Sequence, residues 1–156
     1  MKTLLAVLII LFLGSSYLLV DNLDGMGSIV EIDKNEIVFV SKVIDGDTIV
    51  ANGEHIRLLG IDADERGYDC YKEAKEQIEK WILDKEVVLE KDKTDKDQYG
   101  RLLRYVILDG KNINIKLVEK GLAVARFYRD RKYEVEILFA EKTARTAKIG
   151  CKWVKI

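Results

Sequence analysis

Four short runs of strand-forming residues, separated by turn residues, occupy the first half of the chain. They lie between Ile29 and Ile61 and read IVEI, EIVFVSKVI, DTIVA and HIRLLGI. Each run is rich in the β-branched side chains that favour strands. Strands this short and this closely spaced predict a small antiparallel sheet.

The pattern changes to helical spacing at Cys70–Asp84 and returns to strands at Glu86–Glu90 and Leu102–Leu108. The apolar residues expected on one face of this helix are Tyr71, Ala74, Ile78, Trp81 and Ile82. Farther along the chain, Asn114 is expected to cap a short helix that Gly121 ends.

A final helix is predicted over about Tyr133–Lys148. The apolar side chains expected near one of its faces are Val135, Leu138, Phe139 and Ala147. About five strands with a helix inserted between the third and the fourth follow the order of an OB-fold barrel. We therefore predict an α+β domain over residues 29–156: a five-stranded antiparallel OB-fold β-barrel with about three helices.

An apolar segment, MKTLLAVLIILFLGSSYLLV, precedes this domain at residues 1–20. Leu4–Leu13 has the length of a signal-peptide core, and Gly14-Ser15-Ser16 supplies small residues for cleavage. The apolar stretch continues to Val20, which is close to the roughly 17-residue lower limit for a membrane span. A cleaved signal peptide and an uncleaved signal anchor through residues 4–20 are the two alternatives.

Either alternative exports the domain. Lys2 precedes the apolar segment and acidic residues follow it, which favours the amino end inside and the domain outside. Residues 21–28, DNLDGMGS, have the composition of a short linker. We expect a secreted or membrane-anchored monomer.

The two cysteines of the chain, Cys70 and Cys151, lie in the exported part. An even number of cysteines outside the cell predicts a disulfide, and two buried free thiols are the alternative. His55 is the only histidine, so these residues cannot complete a four-ligand structural zinc site. For the same reason a serine or cysteine hydrolase is excluded unless His55 is its base, and His55 is expected on the surface of a strand.

The formal net charge is −1, so the chain lacks the strongly basic balance of many nucleic-acid-binding domains. Any site for a polyanion must therefore be local. The stretch ARFYRDRK at residues 125–132 interleaves basic and aromatic residues, a pattern that stacks bases and follows single strands. The alternative is a solvated turn before the last helix.

Carboxylates and arginines cluster at the ends of the predicted strands in three short motifs. VIDGDTIV contains Asp45 and Asp47; RLLGIDADE contains Arg57, Asp62, Asp64 and Glu65; DQYGR ends in Arg101. Hard divalent ions take oxygen ligands, and arginine forks suit phosphate oxygens. Together with a spare carboxylate that activates water, such groups are suited to phosphodiester hydrolysis.

Simpler interpretations exist for each motif. Asp-Gly-Asp is often a turn, and acids after a strand are often a solvated strand end. DKDQYG at residues 95–100 resembles the opening of an EF-hand loop, but Val106 stands at position twelve, where a bidentate Glu is required. An EF-hand is therefore excluded.

The three motifs, in this order, resemble those of the staphylococcal nuclease (thermonuclease) family. The resemblance covers about Glu36 to Trp153, with weaker similarity in NINIKLVEKGLA and in AEKTAR…GCKW. It implies an OB-fold enzyme that binds Ca²⁺ and cuts DNA and RNA to leave 3′-phosphate products.

The resemblance also implies a role for individual residues. Asp47 and Asp62 would ligate Ca²⁺ together with the backbone carbonyl of Ala63, and Asp45 and Thr48 would lie in or near the layer around these ligands. Arg57 and Arg101 would hold the scissile phosphate. Glu65 would orient or deprotonate the attacking water. The implied nucleotide contacts are Tyr99 with the terminal phosphate and, as candidates for the base, Phe127 and Tyr128.

Three positions depart from the family pattern. Ala63-Asp64 replaces a Thr-Pro pair, and the loss of proline is expected to loosen the segment that carries Glu65. Gln98 stands in place of a lysine, which removes one phosphate contact. The base-binding stretch matches ARFY only loosely. A non-catalytic OB-fold nucleic-acid-binding module of the same ancestry is the alternative function, although such modules typically lose the acids and arginines present here.

Overall fold

A computed structural model describes residues 36–154 of the chain. The run IVEI, the linker and the apolar segment of residues 1–20 lie outside the described residues. The strands are β1 (Glu36–Val43), β2 (Thr48–Ala51), β3 (Glu54–Leu58), β4 (Ile61–Ala63), β5 (Glu86–Glu90), β6 (Leu102–Leu108), β7 (Lys111–Asn112) and β8 (Ala123–Ala125). The helices are α1 (Tyr71–Ile82), α2 (Ile113–Glu119) and α3 (Glu134–Thr146).

Five of these strands close into a barrel. Antiparallel pairs join β3 to β2, β2 to β1, β1 to β5 and β5 to β6. The barrel closes where β3 meets β6 in parallel, with Ile56 opposite Leu102 and Leu58 opposite Arg104. The predicted five-stranded OB-fold is confirmed, although one of its five seams is parallel. The two short strands β4 and β8 form a separate antiparallel pair.

Helix α1 covers the barrel with the predicted face. Ala74, Ile78 and Ile82 are buried, and Trp81 packs at the edge of the core. The helix ends at Ile82 with Leu83 as its C-cap, and Asp84 adopts a positive φ of 56° that turns the chain into β5. Among the described residues, no helix is long and apolar enough to span a membrane.

The predicted cap of α2 is wrong by two positions. Asn112 caps the helix, because its side chain accepts a hydrogen bond from the amide of Ile115. Asn114 lies inside the helix and is fully buried. Its amide group donates to the carbonyl of Leu59 at 2.8 Å and accepts from the amide of Val106 at 3.0 Å, so it connects α2 to the barrel.

The predicted apolar face of α3 is also wrong. Ile137, Ala140 and Ala144 are the buried residues of this helix. Val135 and Phe139 are 78% and 70% exposed. Two of the three buried residues are alanines, and the buried face is the one that packs against the rest of the domain. A pattern that weighted the larger apolar side chains selected the opposite face.

The two cysteines form a disulfide in the structure. Cys70 lies immediately before α1, and Cys151 follows α3 near the end of the described chain. Their Cα atoms are 5.5 Å apart, and the bond joins positions 81 residues apart in the sequence. The disulfide therefore connects the carboxyl-terminal segment to the start of the first helix.

Candidate active site

The turn between β1 and β2 presents the first pair of acids. The amides of Ile44 and Asp45 both donate to the carbonyl of Thr48, which makes the turn tight. Gly46 lies against the rest of the domain: a Cβ atom there would come within 2.6 Å of the Ala63 Cβ and 2.8 Å of the Ala74 Cβ. Glycine is required here because the turn packs directly on β4 and α1.

Asp47 is buried beneath this turn, with 4% of its surface exposed. Its Oδ2 accepts a hydrogen bond from the amide of Ala63 at 2.7 Å, and its Oδ1 accepts one from the Thr48 hydroxyl at 3.2 Å. The Asp45 carboxylate accepts a hydrogen bond from the amide of Asp47 at 3.0 Å. Burial raises the pKa of Asp47 to about 7, although the Arg57 guanidinium and the Ala63 amide act in the opposite direction.

Arg57, the first residue of the RLLGIDADE motif, connects Asp47 to Asp62. Its Nη2 atom lies 3.0 Å from the Oδ2 of Asp47 and 3.1 Å from the Oδ1 of Asp62. Its Nη1 atom donates to the carbonyls of Leu58 and Ile61 at 2.8 and 3.0 Å. The guanidinium is thus held by two backbone oxygens while it bridges the two carboxylates that the sequence predicted as metal ligands.

The donor set suits a hard cation. Within residues 36–154 no group of three or more acidic, histidine or cysteine side chains is arranged to hold a metal ion. Asp47 and Asp62 nevertheless share one positively charged partner, so both carboxylates face the same point. Two carboxylates with backbone and water oxygens are a set that calcium accepts. In the structure the backbone amide of Ala63 contacts Asp47. The role of the backbone carbonyl of Ala63 as a calcium ligand stays a prediction.

Arg101 enters the same region from the loop before β6. Its Nη1 atom lies 3.4 Å from the Thr48 hydroxyl, and its Nε atom donates to the Oδ2 of Asp97 at 2.7 Å. The Asp97 carboxylate also accepts hydrogen bonds from the backbone amides of Tyr99 and Arg101. The turn between Asp97 and Arg101 is possible because Gly100 adopts a φ of +81°. Burial alone would raise the pKa of Asp97, but the hydrogen bonds from Arg101 outweigh it and the pKa is lowered.

The loop that carries Glu65 is connected to the domain through Asp64. The amide of Cys70 donates to the Oδ2 of Asp64 at 3.1 Å, and Lys152 forms an ion pair with the other oxygen. Glu65 itself is exposed and lines the cleft. Aspartate thus restrains a segment that the absence of proline was expected to loosen.

The ARFYRDRK stretch separates into residues inside and outside the cleft. Tyr128 is 72% exposed and lines it, as does Tyr99 from the opposite loop. Phe127 is half-buried against the core, and a Cβ atom on Gly60 would lie 2.9 Å from its ring. Asp130 is buried and accepts the amide of Thr94 at 2.8 Å, which fixes the stretch beside the loop before β6.

Sequence reasoning did not place Arg126 in the site. Its Nη1 atom lies 2.8 Å from the Oδ2 of Asp62, and its Nε atom donates to the Tyr128 hydroxyl at 2.9 Å. The β4–β8 pair brings these residues together, since Asp62 is opposite Val124. The sequence feature that could have pointed to Arg126 was its place in the basic and aromatic stretch. Its partner Asp62 lies 64 residues earlier in the chain, so their pairing could not be read from local sequence.

Part of the predicted site lines one cleft with a volume of about 810 Å³, whereas Asp47 and Phe127 are not among its lining residues. The positive residues in its wall are Arg57, Lys96, Arg101, Arg126 and Arg129. The acids of the wall are Asp62, Glu65, Asp97 and Asp130. His55 is exposed on β3, as the sequence predicted, and is not among the residues that line this cleft. Such a cleft can bind a phosphodiester through its arginines and present a carboxylate to water.

Comparison with known proteins points to the same chemistry. The family described as "Staphylococcal nuclease homologue" matches residues 55–154. The thermonuclease of Staphylococcus hyicus is 38% identical over 122 residues, which cover 70% of this chain and 71% of that protein. The thermonuclease of Staphylococcus intermedius is 36% identical over 130 residues, covering 75% and 76% of the two chains.

Endonuclease YncB of Bacillus subtilis is 36% identical over 135 residues, which cover 76% of this chain and 62% of that protein. A barrel with paired acids and arginines in one cleft, together with these relatives, defines a hydrolase of the nuclease class. The chain belongs to the staphylococcal nuclease family. The resemblance drawn from the three motifs is thereby confirmed.

Proposed function

We propose that this protein is an exported, calcium-dependent nuclease that hydrolyses phosphodiester bonds of DNA, RNA or both and leaves 3′-phosphate products. The observation that carries this proposal is the Arg57 bridge between Asp47 and Asp62. It brings two candidate metal ligands and a phosphate-binding arginine to one point. Membership in the nuclease family and the second arginine, Arg101, support the same activity.

Calcium bound by Asp47 and Asp62 would supply positive charge that offsets the negative charge developing on the phosphate. The side chains of the protein bind the phosphate and activate the water. Arg57 and Arg101 bind the non-bridging phosphate oxygens, and their charge stabilises the pentavalent transition state. Glu65 orients the attacking water or accepts its proton.

The products follow from which bond breaks. The water oxygen forms a bond to phosphorus as the bond from phosphorus to the 5′ oxygen breaks. One product keeps the phosphate on its 3′ end, and the other takes a proton from solvent to become a 5′-hydroxyl end. No electrons are transferred to or from the protein in this reaction.

The test is a nuclease assay on single-stranded DNA and on RNA with Ca²⁺, Mg²⁺ or EDTA. We expect cleavage with Ca²⁺, none with EDTA, and a loss of at least about 100-fold in kcat for Glu65→Gln, the range expected for an acid–base residue. Glu73→Gln, an exposed acid on α1, is the matched control and should leave kcat unchanged. Wild-type protein that fails to cut either substrate with Ca²⁺ would contradict the proposal.

A non-catalytic nucleic-acid-binding module is the alternative, and the same assay separates the two. A binding module would retain DNA in the presence of EDTA and would show no turnover. Its binding would also be the same in the wild type and in Glu65→Gln.

We further propose that the domain acts outside the cytoplasm, as a secreted protein or anchored through residues 4–20. The apolar segment and the disulfide support this proposal, because disulfides persist in oxidising compartments. Fractionation of cells that express the full chain should find the activity in the medium or on the outer membrane face. Activity confined to the cytosol would contradict it.

A further inference from the structure

The carboxylate of Asp62 is shared by two arginines, of which only Arg57 was predicted from the sequence to belong to the site. Its Oδ1 lies 3.1 Å from Arg57, and its Oδ2 lies 2.8 Å from Arg126. Both oxygens of a predicted metal ligand therefore already carry a positively charged partner. A cation that binds Asp62 must compete with at least one of these two guanidinium groups.

The two arginines differ in how firmly they are held. Arg57 is anchored by two backbone carbonyls, and only 17% of its side chain is exposed. The side chain of Arg126 is 53% exposed, and its second partner is the hydroxyl of the exposed Tyr128. A cation held between Asp47 and Asp62 replaces the Nη2 atom of Arg57 there and competes with Arg126 for the second oxygen of Asp62. An exposed ion pair contributes little free energy, so the pair of Arg126 with Asp62 is broken at little cost.

Arg126 stays in the cleft when it leaves Asp62. Its backbone amide donates to the carbonyl of Gly60 at 2.9 Å, so the position of its Cα is fixed by the β4–β8 pair. Arg126, Tyr128 and Arg129 all line the cleft. A guanidinium released there suits a phosphate oxygen of a strand bound in the cleft.

We propose that Arg126 is a third substrate-binding arginine, which pairs with Asp62 until a cation binds there and then contacts a phosphate beside the scissile one. This inference rests on the proposed function. It couples two events: the cation and Arg126 compete for Asp62, and the bound cation makes Arg126 available to the substrate.

The test compares Arg126→Gln and Arg126→Lys with wild type. Lys72→Gln, which removes one positive charge from an exposed pair on α1, is the control. Calcium affinity is measured by titration calorimetry without DNA. Binding of a single-stranded DNA oligonucleotide is measured against salt concentration in a Glu65→Gln background with Ca²⁺ present, so that the DNA is bound without being cut.

We expect opposite effects of Arg126→Gln in the two measurements. Calcium should bind about two- to fivefold tighter, the range that one exposed ion pair supplies. DNA should bind more weakly, and the slope of log affinity against log salt should fall by about 0.7, the value for one lost phosphate contact on a single strand. Arg126→Lys should restore most of the salt slope, and Lys72→Gln should change neither quantity.

Each result decides the question. Calcium affinity that is unchanged or weaker in Arg126→Gln, or an unchanged salt slope, would overturn the inference and leave the proposed function intact if wild type still cuts DNA. A wild-type protein that neither binds Ca²⁺ nor cuts DNA would overturn both. A variant that merely fails to fold is recognised by its unfolding curve, and Arg126→Ala, which also removes the positive charge, then takes the place of Arg126→Gln.

Discussion

At the scale of single residues, the site is a set of buried and half-buried charges that compensate one another. Asp47 is almost fully buried, which by itself disfavours its charged form. The Arg57 guanidinium 3.0 Å away and the Ala63 amide 2.7 Å away offset this cost. Buried acids whose pKa is shifted in this way cluster at functional sites.

The first prediction concerns this acid. Asp47→Asn removes one negative charge from the two-carboxylate set while preserving its size, so calcium affinity should fall about tenfold or more and activity should fall with it. Titration calorimetry measures the affinity. Asp109→Asn, in the turn between β6 and β7 where the φ of 50° suits asparagine, is the matched control. Unchanged affinity in Asp47→Asn would show that the ligand set is wrong.

At the scale of elements, three short pieces of chain meet at Gly46. The turn between β1 and β2 lies against Ala63 in β4 and against Ala74 in α1. This contact places Asp47 under the amide of Ala63, so the packing of small residues positions the acid. The β1–β2 turn, β4 and α1 approach one another closely here because each contributes a glycine or an alanine to the contact.

Gly46→Ala tests this close contact. The added methyl group would lie 2.6 Å from the Ala63 Cβ, so one element must move. We expect the free energy of unfolding to fall by about 1–3 kcal/mol, the usual cost of overpacking, with weaker calcium binding. Urea unfolding measures the first effect. The double variant Gly46→Ala/Ala63→Gly should recover part of the loss, and strict additivity of the two changes would contradict the argument.

At the scale of the whole molecule, the carboxyl-terminal segment is connected back to the active-site loop. The disulfide joins Cys151 to Cys70, and the neighbouring Lys152 pairs with Asp64, one residue before Glu65. The last residues of the described chain therefore restrain the loop that carries the predicted catalytic acid. These contacts restrain a segment that the absence of a proline was expected to loosen.

Removal of the disulfide should therefore lower stability substantially. Closing a loop of 81 residues is worth about 4 kcal/mol from chain entropy alone. We expect a loss of that size for Cys70→Ser/Cys151→Ser in urea unfolding, and a similar loss for wild type with reductant. Reductant should have no effect on the double variant, which is the control. Two free thiols found by alkylation and mass measurement without reductant would contradict the bond itself.

Much of the fold followed from local patterns. The five barrel strands and α1 were predicted from β-branched runs and from helical spacing, and the structure has them at nearly the expected residues. The face of α3 was not predictable, because Ile137, Ala140 and Ala144 are chosen by what α3 packs against. Asn114 was misassigned for the same reason: its partners, Leu59 and Val106, are distant in sequence.

The acids and arginines of the site, the motifs that contain them and the order of the elements could all be predicted from the amino-acid sequence. Those properties depend on residue type and on short spacings, which a chain carries without folding. The pairing of Asp62 with both Arg57 and Arg126, and that of Asp64 with Lys152, became evident only in the folded domain. Such pairs span 64 and 88 residues. The pairing of β4 with β8 brings Arg126 to Asp62, and Lys152 lies next to the disulfide that joins Cys151 to Cys70.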